Sequence, residues 1–310
     1  MKRTFATTFA IALLGVGACK GGGSGDAVKL VPDSATFIGG VDIAALQKSE
    51  LWNDNKKFLE EGEAKDVLEA AKACNLGLDK WKSVTFGMHH SAFSMSGDEA
   101  PPGVIVLSAD GIGKKENLEC VHAKAKEKGE EPFTMAEKDG RLVLDIDEGK
   151  DVGYVVNDNM LVIAGKGWAD SVKELIDGKG KPAVDNGLKD AVGTADTSKA
   201  LWFAGNLPSE LLAGSPADGA KTAAGSVDFK SGVAFALSVT FGSADDAKSK
   251  ATELQTQFDQ VKGMAGAMGV PQGATDSVKI EAKGSAVNVS ASLSNDDVKK
   301  LQETASKAGL

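Results

Sequence analysis

Short apolar stretches separated by turn residues recur along the chain, and this pattern predicts β-strands. Residues 83–89 are one such stretch in the first half of the sequence. Residues 133–137 and 141–146 flank Asp139-Gly140, a dipeptide that favours the tight turn of a two-stranded hairpin. Because strands joined by tight turns pair antiparallel, the pattern predicts an antiparallel sheet.

Longer segments repeat their apolar residues at helical spacing. Residues 114–128 and 245–268 are the clearest of these, and in the second the apolar positions advance by steps of four and three. The order strand, helix, hairpin, helix occurs twice, in residues 30–177 and again in residues 198–310. We therefore predict an α+β fold, with two divergent repeats of antiparallel sheet and helices packed on one face. The segment 178–197, rich in Gly, Lys and Asp, divides the halves, which can still share one continuous sheet.

The N-terminus has the pattern of a secretion signal. Lys2 and Arg3 precede a short apolar stretch, which is too short to span a bilayer as a helix. Val16-Gly17-Ala18-Cys19 then resembles a lipobox, so residues 1–18 are predicted to be removed and Cys19 to carry the lipid anchor. Residues 19–29 begin with this cysteine and continue as a Gly-rich flexible tether. An ordinary cleaved signal followed by a chance cysteine is the alternative.

Charge and composition narrow the choice of partners. Loss of Lys2 and Arg3 with the signal changes the formal charge from −9 to −11, which disfavours nucleic acid as a partner. Arg141 is the single arginine of the mature chain, so bidentate clamps for phosphate are scarce.

We expect the protein in the cell envelope, lipid-anchored on the periplasmic face. Lys20 after the anchor cysteine favours the outer membrane over the inner.

Two cysteines remain after the anchor is assigned. Export places Cys74 and Cys120 in a compartment that can oxidise them, so we predict a disulfide between them. The alternative is a metal or redox pair completed by His122. Cys120-Val121-His122 lacks the spacing and the fourth ligand that such a site requires.

Complete catalytic and phosphate-binding signatures are missing from the sequence. Gly111-Ile112-Gly113 is a fragment of a phosphate-binding turn, but a strand-to-helix turn accounts for it better. His89 and His90 are neighbours on a predicted strand and point to opposite faces, which disfavours a shared metal. The acidic segment 145–151 departs from the EF-hand ligand pattern and is predicted to be a polar turn between strands. No metal and no cofactor is expected.

Three further features have both structural and binding interpretations. Met264 and Met268 fall on the apolar stripe of a predicted helix and are expected in the core. Trp168 and Trp202 could line a pocket, but large aromatic residues are more often core anchors. Residues 213–225, rich in Ala, Gly and Ser, are predicted to be a disordered surface loop, with a mobile flap as the alternative.

Three short motifs carry a resemblance to a known group. They are Leu30-Val31-Pro32-Asp33-Ser34-Ala35, Val41-Asp42-Ile43-Ala44-Ala45-Leu46 and Thr197-Ser198-Lys199-Ala200-Leu201-Trp202. With them the chain resembles uncharacterised bacterial lipoproteins of the DUF3352-like kind. The resemblance implies a surface or periplasmic domain built from α+β repeats, and it implies no catalytic residues.

These observations favour a non-enzymatic, lipid-anchored envelope protein that binds a protein or small ligand or acts as a scaffold. One alternative is an envelope hydrolase whose acids, for example Asp42 and Asp110 at strand ends, converge only in the folded chain. Another is a carrier of an apolar ligand, with a lipid held between sheet and helices. The expected partners are the membrane, through the anchor, and an envelope protein or small apolar molecule.

Overall fold

The computed structural model describes residues 24–56, 65–93 and 103–308, except 213, 216, 267 and 268. The predicted signal, Cys19 and the start of the tether lie outside these residues. The strands are β1 (Phe37–Asp42), β2 (Trp81–Met88), β3 (Gly103–Ala109), β4 (Phe133–Lys138), β5 (Arg141–Ile146), β6 (Asp151–Asn157), β7 (Met160–Gly165), β8 (Leu201–Asn206), β9 (Thr222–Asp228), β10 (Val233–Thr240), β11 (Lys279–Lys283) and β12 (Ala286–Leu293).

Helices connect these strands. They are α1 (Ser24–Ala27), α2 (Ile43–Leu46), α3 (Glu50–Asn55), α4 (Lys65–Ala73), α5 (Lys115–Glu127), α6 (Ala169–Ile176), α7 (Lys189–Thr194), α8 (Ser209–Leu212), α9 (Ala244–Ala265), α10 (Gln272–Asp276) and α11 (Asn295–Ala308). Side chains cap several of their N-termini. In α9, for example, the backbone N–H of Asp246 donates to Ser243 Oγ at 3.1 Å.

The twelve strands form one antiparallel sheet, in the order β11-β12-β10-β9-β8-β1-β2-β3-β7-β6-β5-β4. The predicted α+β class is confirmed. The pairing of β1 with β8 joins the two halves into a continuous sheet, which the sequence had left open. Lys299 of α11 also bridges the halves, since its Nζ lies 3.1 Å from Glu50 Oε1 and 3.3 Å from Asp54 Oδ2 of α3.

The order of the strands repeats on either side of the β1–β8 pair. Moving outward, the first half runs β1, β2, β3, β7, β6 and the second half runs β8, β9, β10, β12, β11. In both halves a long helix, α5 or α9, follows the third strand. In the second half α9 and α10 lead into the hairpin β11–β12, whereas in the first half the hairpin β4–β5 stands between α5 and the hairpin β6–β7. The hairpin β4–β5 has no counterpart in the second half. The two repeats inferred from the sequence are therefore visible in the topology.

Alternation along the strands divides the sheet into two faces. The front face carries Val41, Val84 and Leu107, and helices α4 and α5 cover it in the first half. The back face carries Ile38 and Val106, which are buried against α6 and α7. In the outer strands of the second half α9 packs on the front face. Strands β1–β7 of the first half have helices on both faces.

Several local expectations agree with the structure. Asp139 and Gly140 have φ of 53° and 73°, as the predicted tight turn requires. Trp168 and Trp202 are buried core residues, 6% and 3% exposed. In the segment 178–197, Leu188 is fully buried in the back core, so this division between the halves is packed against the sheet.

Four expectations differ from the structure. The predicted flexible tether, residues 19–29, is folded from Ser24 onward, because Ser24–Ala27 is a helix and Ala27 is fully buried in the back core. His89 and His90 follow β2 and do not lie on a strand, so they do not point to opposite faces of the sheet, and their rings lie close together.

Met264 is 59% exposed on α9 and is not in the core, while Met268 lies outside the described residues. The end of the predicted loop 213–225 belongs to β9, which is paired on both sides, with β8 and with β10. Its small residues serve packing, because Ala224 is buried against the back core.

Candidate apolar ligand site

A cavity of about 120 Å³ lies between the front face of the sheet and helices α4 and α5. All of its lining residues are apolar. They include Leu107, Leu144, Leu161 and Ile163 on the strands, and Ala71 and Leu118 on the helices. The cavity is partly open to solvent, and its apolar lining favours an apolar occupant because water needs polar partners.

Small residues leave this space open, and the indole N–H of Trp81 in its lining has a hydrogen-bond partner. Ala70 and Ala71 stand side by side on α4, where larger side chains would reach towards the sheet. Gly153 on β6 lets Leu144 pack closely, since a Cβ at Gly153 would lie 2.9 Å from that of Leu144. Trp81 contributes its ring, while its Nε1–H donates to the carbonyl of Leu76 at 3.0 Å.

The predicted disulfide is confirmed and joins the two helices over the cavity. Cys74 follows α4, Cys120 lies within α5, and their Cα atoms are 5.5 Å apart. The alternative of a metal or redox pair with His122 is not realised, because both cysteines are used in the bridge. The His122 ring instead packs at 5.6 Å from the ring of Phe133.

The apolar floor of the cavity continues across the front face. Ile163 in the cavity wall is opposite Ile105, Ile105 is opposite Phe86, and the series then passes through Gly39 to Phe203. We call Ile105, Phe86, Gly39, Phe203 and the next residue, Gly225 on β9, the front row. The rings of Phe86 and Phe203 both stack against Phe37, at centroid distances of 6.2 and 5.8 Å.

The acids considered for a hydrolase have structural roles outside the cavity. Asp42 Oδ1 accepts the backbone N–H of Ala44 at 3.0 Å and caps α2. Burial raises the pKa of Asp42 to about 6, against the lowering effect of its backbone hydrogen bonds. Asp110 forms an ion pair with Lys82. Among the described residues, no three His, Cys, Asp or Glu side chains are grouped so that they could hold a metal ion.

The remaining candidates also have local partners. His89 Nδ1 accepts the backbone N–H of Ser91 at 3.3 Å, and its ring centroid lies 4.0 Å from that of His90. Burial lowers the pKa of His89, and the neighbouring His90 lowers it further. The N–H of Gly111 donates to Asn159 Oδ1 at 2.9 Å, so this turn uses its donor internally. Asp147 lies in the predicted polar turn between β5 and β6, with φ of 50°.

Sequence reasoning did not locate the cavity or the front row. The available signal was the Ala70-Ala71 pair opposite a strand rich in large apolar residues. Periodicity shows that such positions face the core, but not whether their volumes fill it.

No helix within the described part of the chain combines the length and apolar character needed to cross a bilayer. No protein-family model and no curated protein sequence matches the chain. A solved structure, crystal form III of TP0453, is similar in fold, with a TM-score of 0.54 and 8% sequence identity. The alignment covers 87% of this chain and 95% of that one, so the likeness extends over the whole fold.

Proposed function

We propose that this chain is a lipid-anchored cell-envelope protein that binds an apolar small molecule between its sheet and helices α4 and α5. The observation that carries the proposal is the cavity of about 120 Å³ with its wholly apolar lining. For comparison, an apolar cavity of about 150 Å³ binds benzene or xenon. Of the three sequence-based hypotheses, the apolar-ligand carrier agrees best with this geometry.

A lipid anchor would hold this site close to the membrane, which is a source of apolar ligands. Ala27 is fully buried in the back core and lies eight positions after Cys19 in the sequence. Eight extended residues span at most about 29 Å. The folded part would therefore remain close to the membrane in which apolar molecules concentrate. The DUF3352-like resemblance is consistent with this placement.

Ligand binding is tested with xenon, a compact probe, and by mass spectrometry of organic extracts of the protein purified from envelopes. Ala71→Leu places a larger side chain in the cavity, whereas Ala73→Leu makes the same change at an exposed position of the same helix. We expect xenon binding in the wild type and in Ala73→Leu, and its loss in Ala71→Leu. Equal xenon binding by both variants, or none by the wild type, would contradict the proposal.

The anchor is tested by metabolic labelling with a radioactive fatty acid and by membrane fractionation. Cys19→Ser should abolish the label and release the protein, because the thioether-linked lipid needs the thiol. Ser24→Ala, which leaves the lipobox intact, is the control. Labelling that persists in Cys19→Ser would contradict a lipid anchor at this residue.

Protein binding is a second candidate, favoured by the exposed apolar side chains on α9. Val261 is 53% exposed and Met264 is 59% exposed, three residues apart and therefore on neighbouring turns of one helix face. Crosslinking in envelopes from a photoreactive residue at Val261, compared with one at exposed Lys248, tests this candidate. Products common to both positions would count against a specific partner.

A further inference from the structure

We infer that the ligand is a single long hydrocarbon chain, a long-chain fatty acid being its simplest form, whose end enters the cavity and whose remainder crosses the front row. This inference rests on the proposed function and specifies the chemistry of its ligand. Its starting point is size. A cavity of about 120 Å³ is smaller than the 150 Å³ that hold a six-carbon ring, so it accommodates only the end of a longer chain.

The remainder of such a chain needs apolar surface that continues from the cavity. The front row supplies it, because Ile163 of the cavity wall stands directly opposite Ile105 and Ile105 directly opposite Phe86. Ile105, Phe86 and Phe203 are only partly buried, unlike the neighbouring Leu107 at 3% exposure. The helices that close over the cavity thus leave the front row partly accessible.

Glycine makes this surface low and flat. A Cβ at Gly39 would lie 2.4 Å from the Phe86 ring, and one at Gly225 would lie 2.4 Å from the Phe203 ring. Each phenylalanine ring therefore lies down over a glycine of the next strand instead of standing away from the sheet. The result is a shallow apolar track, which suits a flexible linear chain better than a bulky ring system.

The length of the track agrees with that of one acyl chain. Three interstrand steps separate Ile105 on β3 from Phe203 on β8, or about 14 Å at about 4.8 Å a step. One leaflet of a bilayer provides about 15 Å of hydrocarbon, half of a core of about 30 Å, so a chain whose end lies in the cavity must be at least this long to reach Phe203. Because Ile163 of the cavity wall is paired with Ile105 of the row, one chain can follow both, so we assign the site to a single-chain lipid and not to a two-chain phospholipid.

The experiment is a titration of the delipidated full-length protein with straight-chain fatty acids of increasing length. Each methylene removed from water should tighten binding about fourfold, and this gain should continue well beyond about six carbons. Phe203→Ala should weaken binding of a sixteen-carbon acid by on the order of tenfold, and leave a six-carbon acid unchanged. Phe229→Ala is the matched control, since Phe229 packs in a separate apolar cluster.

The outcomes separate this inference from the proposed function. An affinity that stops rising at about six carbons, with xenon still bound, would overturn the long chain and keep the apolar cavity. Failure of both xenon and all the acids to bind would overturn the proposed function itself. Tighter binding of a two-chain phospholipid than of the sixteen-carbon acid would overturn the single-chain assignment.

Discussion

Removal of the disulfide should cost this fold a large share of its stability. The perturbation is the double substitution Cys74→Ala, Cys120→Ala. Alanine is chosen because Cys74 is 3% exposed, and an apolar replacement leaves no buried hydroxyl without a partner. The bridge connects residues 46 positions apart and joins α4 to α5.

The size of the effect follows from the loop that the bridge closes. For a separation of 46 residues, the restriction of the unfolded chain stabilises the native state by about 4 kcal/mol on the chain-entropy model. The native state should also lose order locally. Ala71 and Leu76, on either side of Cys74, are held in the front core near the bridge. We therefore expect a loss of 2–5 kcal/mol, the range typical of native disulfides.

The assay is urea denaturation of the oxidised wild type, the double variant and the wild type in reductant. The last two should have the same lowered midpoint, with a similar dependence on urea if the unfolded states expose similar surface. Xenon binding should weaken in both, because the cavity lies under the joined helices. A stability within about 1 kcal/mol of the oxidised wild type would refute this reasoning.

Three further predictions concern single side chains. The pKa of Asp42 is raised to about 6 in the fold, so the free energy of unfolding should fall as the pH rises from about 4 through 6. In denaturant titrations, Asp42→Asn should match the stability of the wild type at pH 4 and exceed it by about 1 kcal/mol at pH 8. Gly40→Ala would place a Cβ 2.2 Å from the Trp202 ring and should lower the unfolding free energy by about 1–3 kcal/mol. Gly193 in α7 has open space around it, so Gly193→Ala should be neutral or stabilising by up to about 1 kcal/mol. A similar loss of unfolding free energy in both glycine variants would argue against steric conflict at Gly40. Leu144 is 2% exposed, so Leu144→Ala should lower the free energy of unfolding by about 3–5 kcal/mol in thermal or urea unfolding. The substitution should also enlarge the cavity enough to admit benzene, and unchanged benzene binding would count against the place of Leu144 in the cavity wall.

Local chemistry accounts for the parts of the fold that sequence reasoning predicted. Asp139-Gly140 specifies a turn through two positive φ values, whatever the rest of the chain does. Of the three cysteines, Cys74 and Cys120 are the two that remain once Cys19 is assigned to the anchor, so their pairing could be predicted from the sequence. The hydrophobic periodicity of residues 114–128 likewise agrees with α5 to within one residue at each end.

The wrong expectation for Met264 concerns the end of the longest helix. Met264 has the spacing of a core residue, but α9 has 22 residues and is about 33 Å long. The strands beneath it, β11 and β12, have five and eight residues and are about 17 and 27 Å long. The helix is thus longer than either strand, and Val261 and Met264 near its end are exposed although the neighbouring Ala265 is buried. Periodicity alone could not show this, because it reports the direction of a side chain and not the presence of a neighbour.

The sequence by itself determined the class of fold, the turns, the disulfide and the expectation of an anchored envelope protein, because each depends on residue type and short spacing. Only the tertiary structure decided that the halves share one sheet, that residues 222–225 are a paired strand, and where apolar volume is missing. Cavities and apolar tracks depend on side chains distant in the sequence. Ala71 leaves space only because Leu107 and Leu161 stand across from it, and the Phe203 ring lies flat only because Gly225 is beside it.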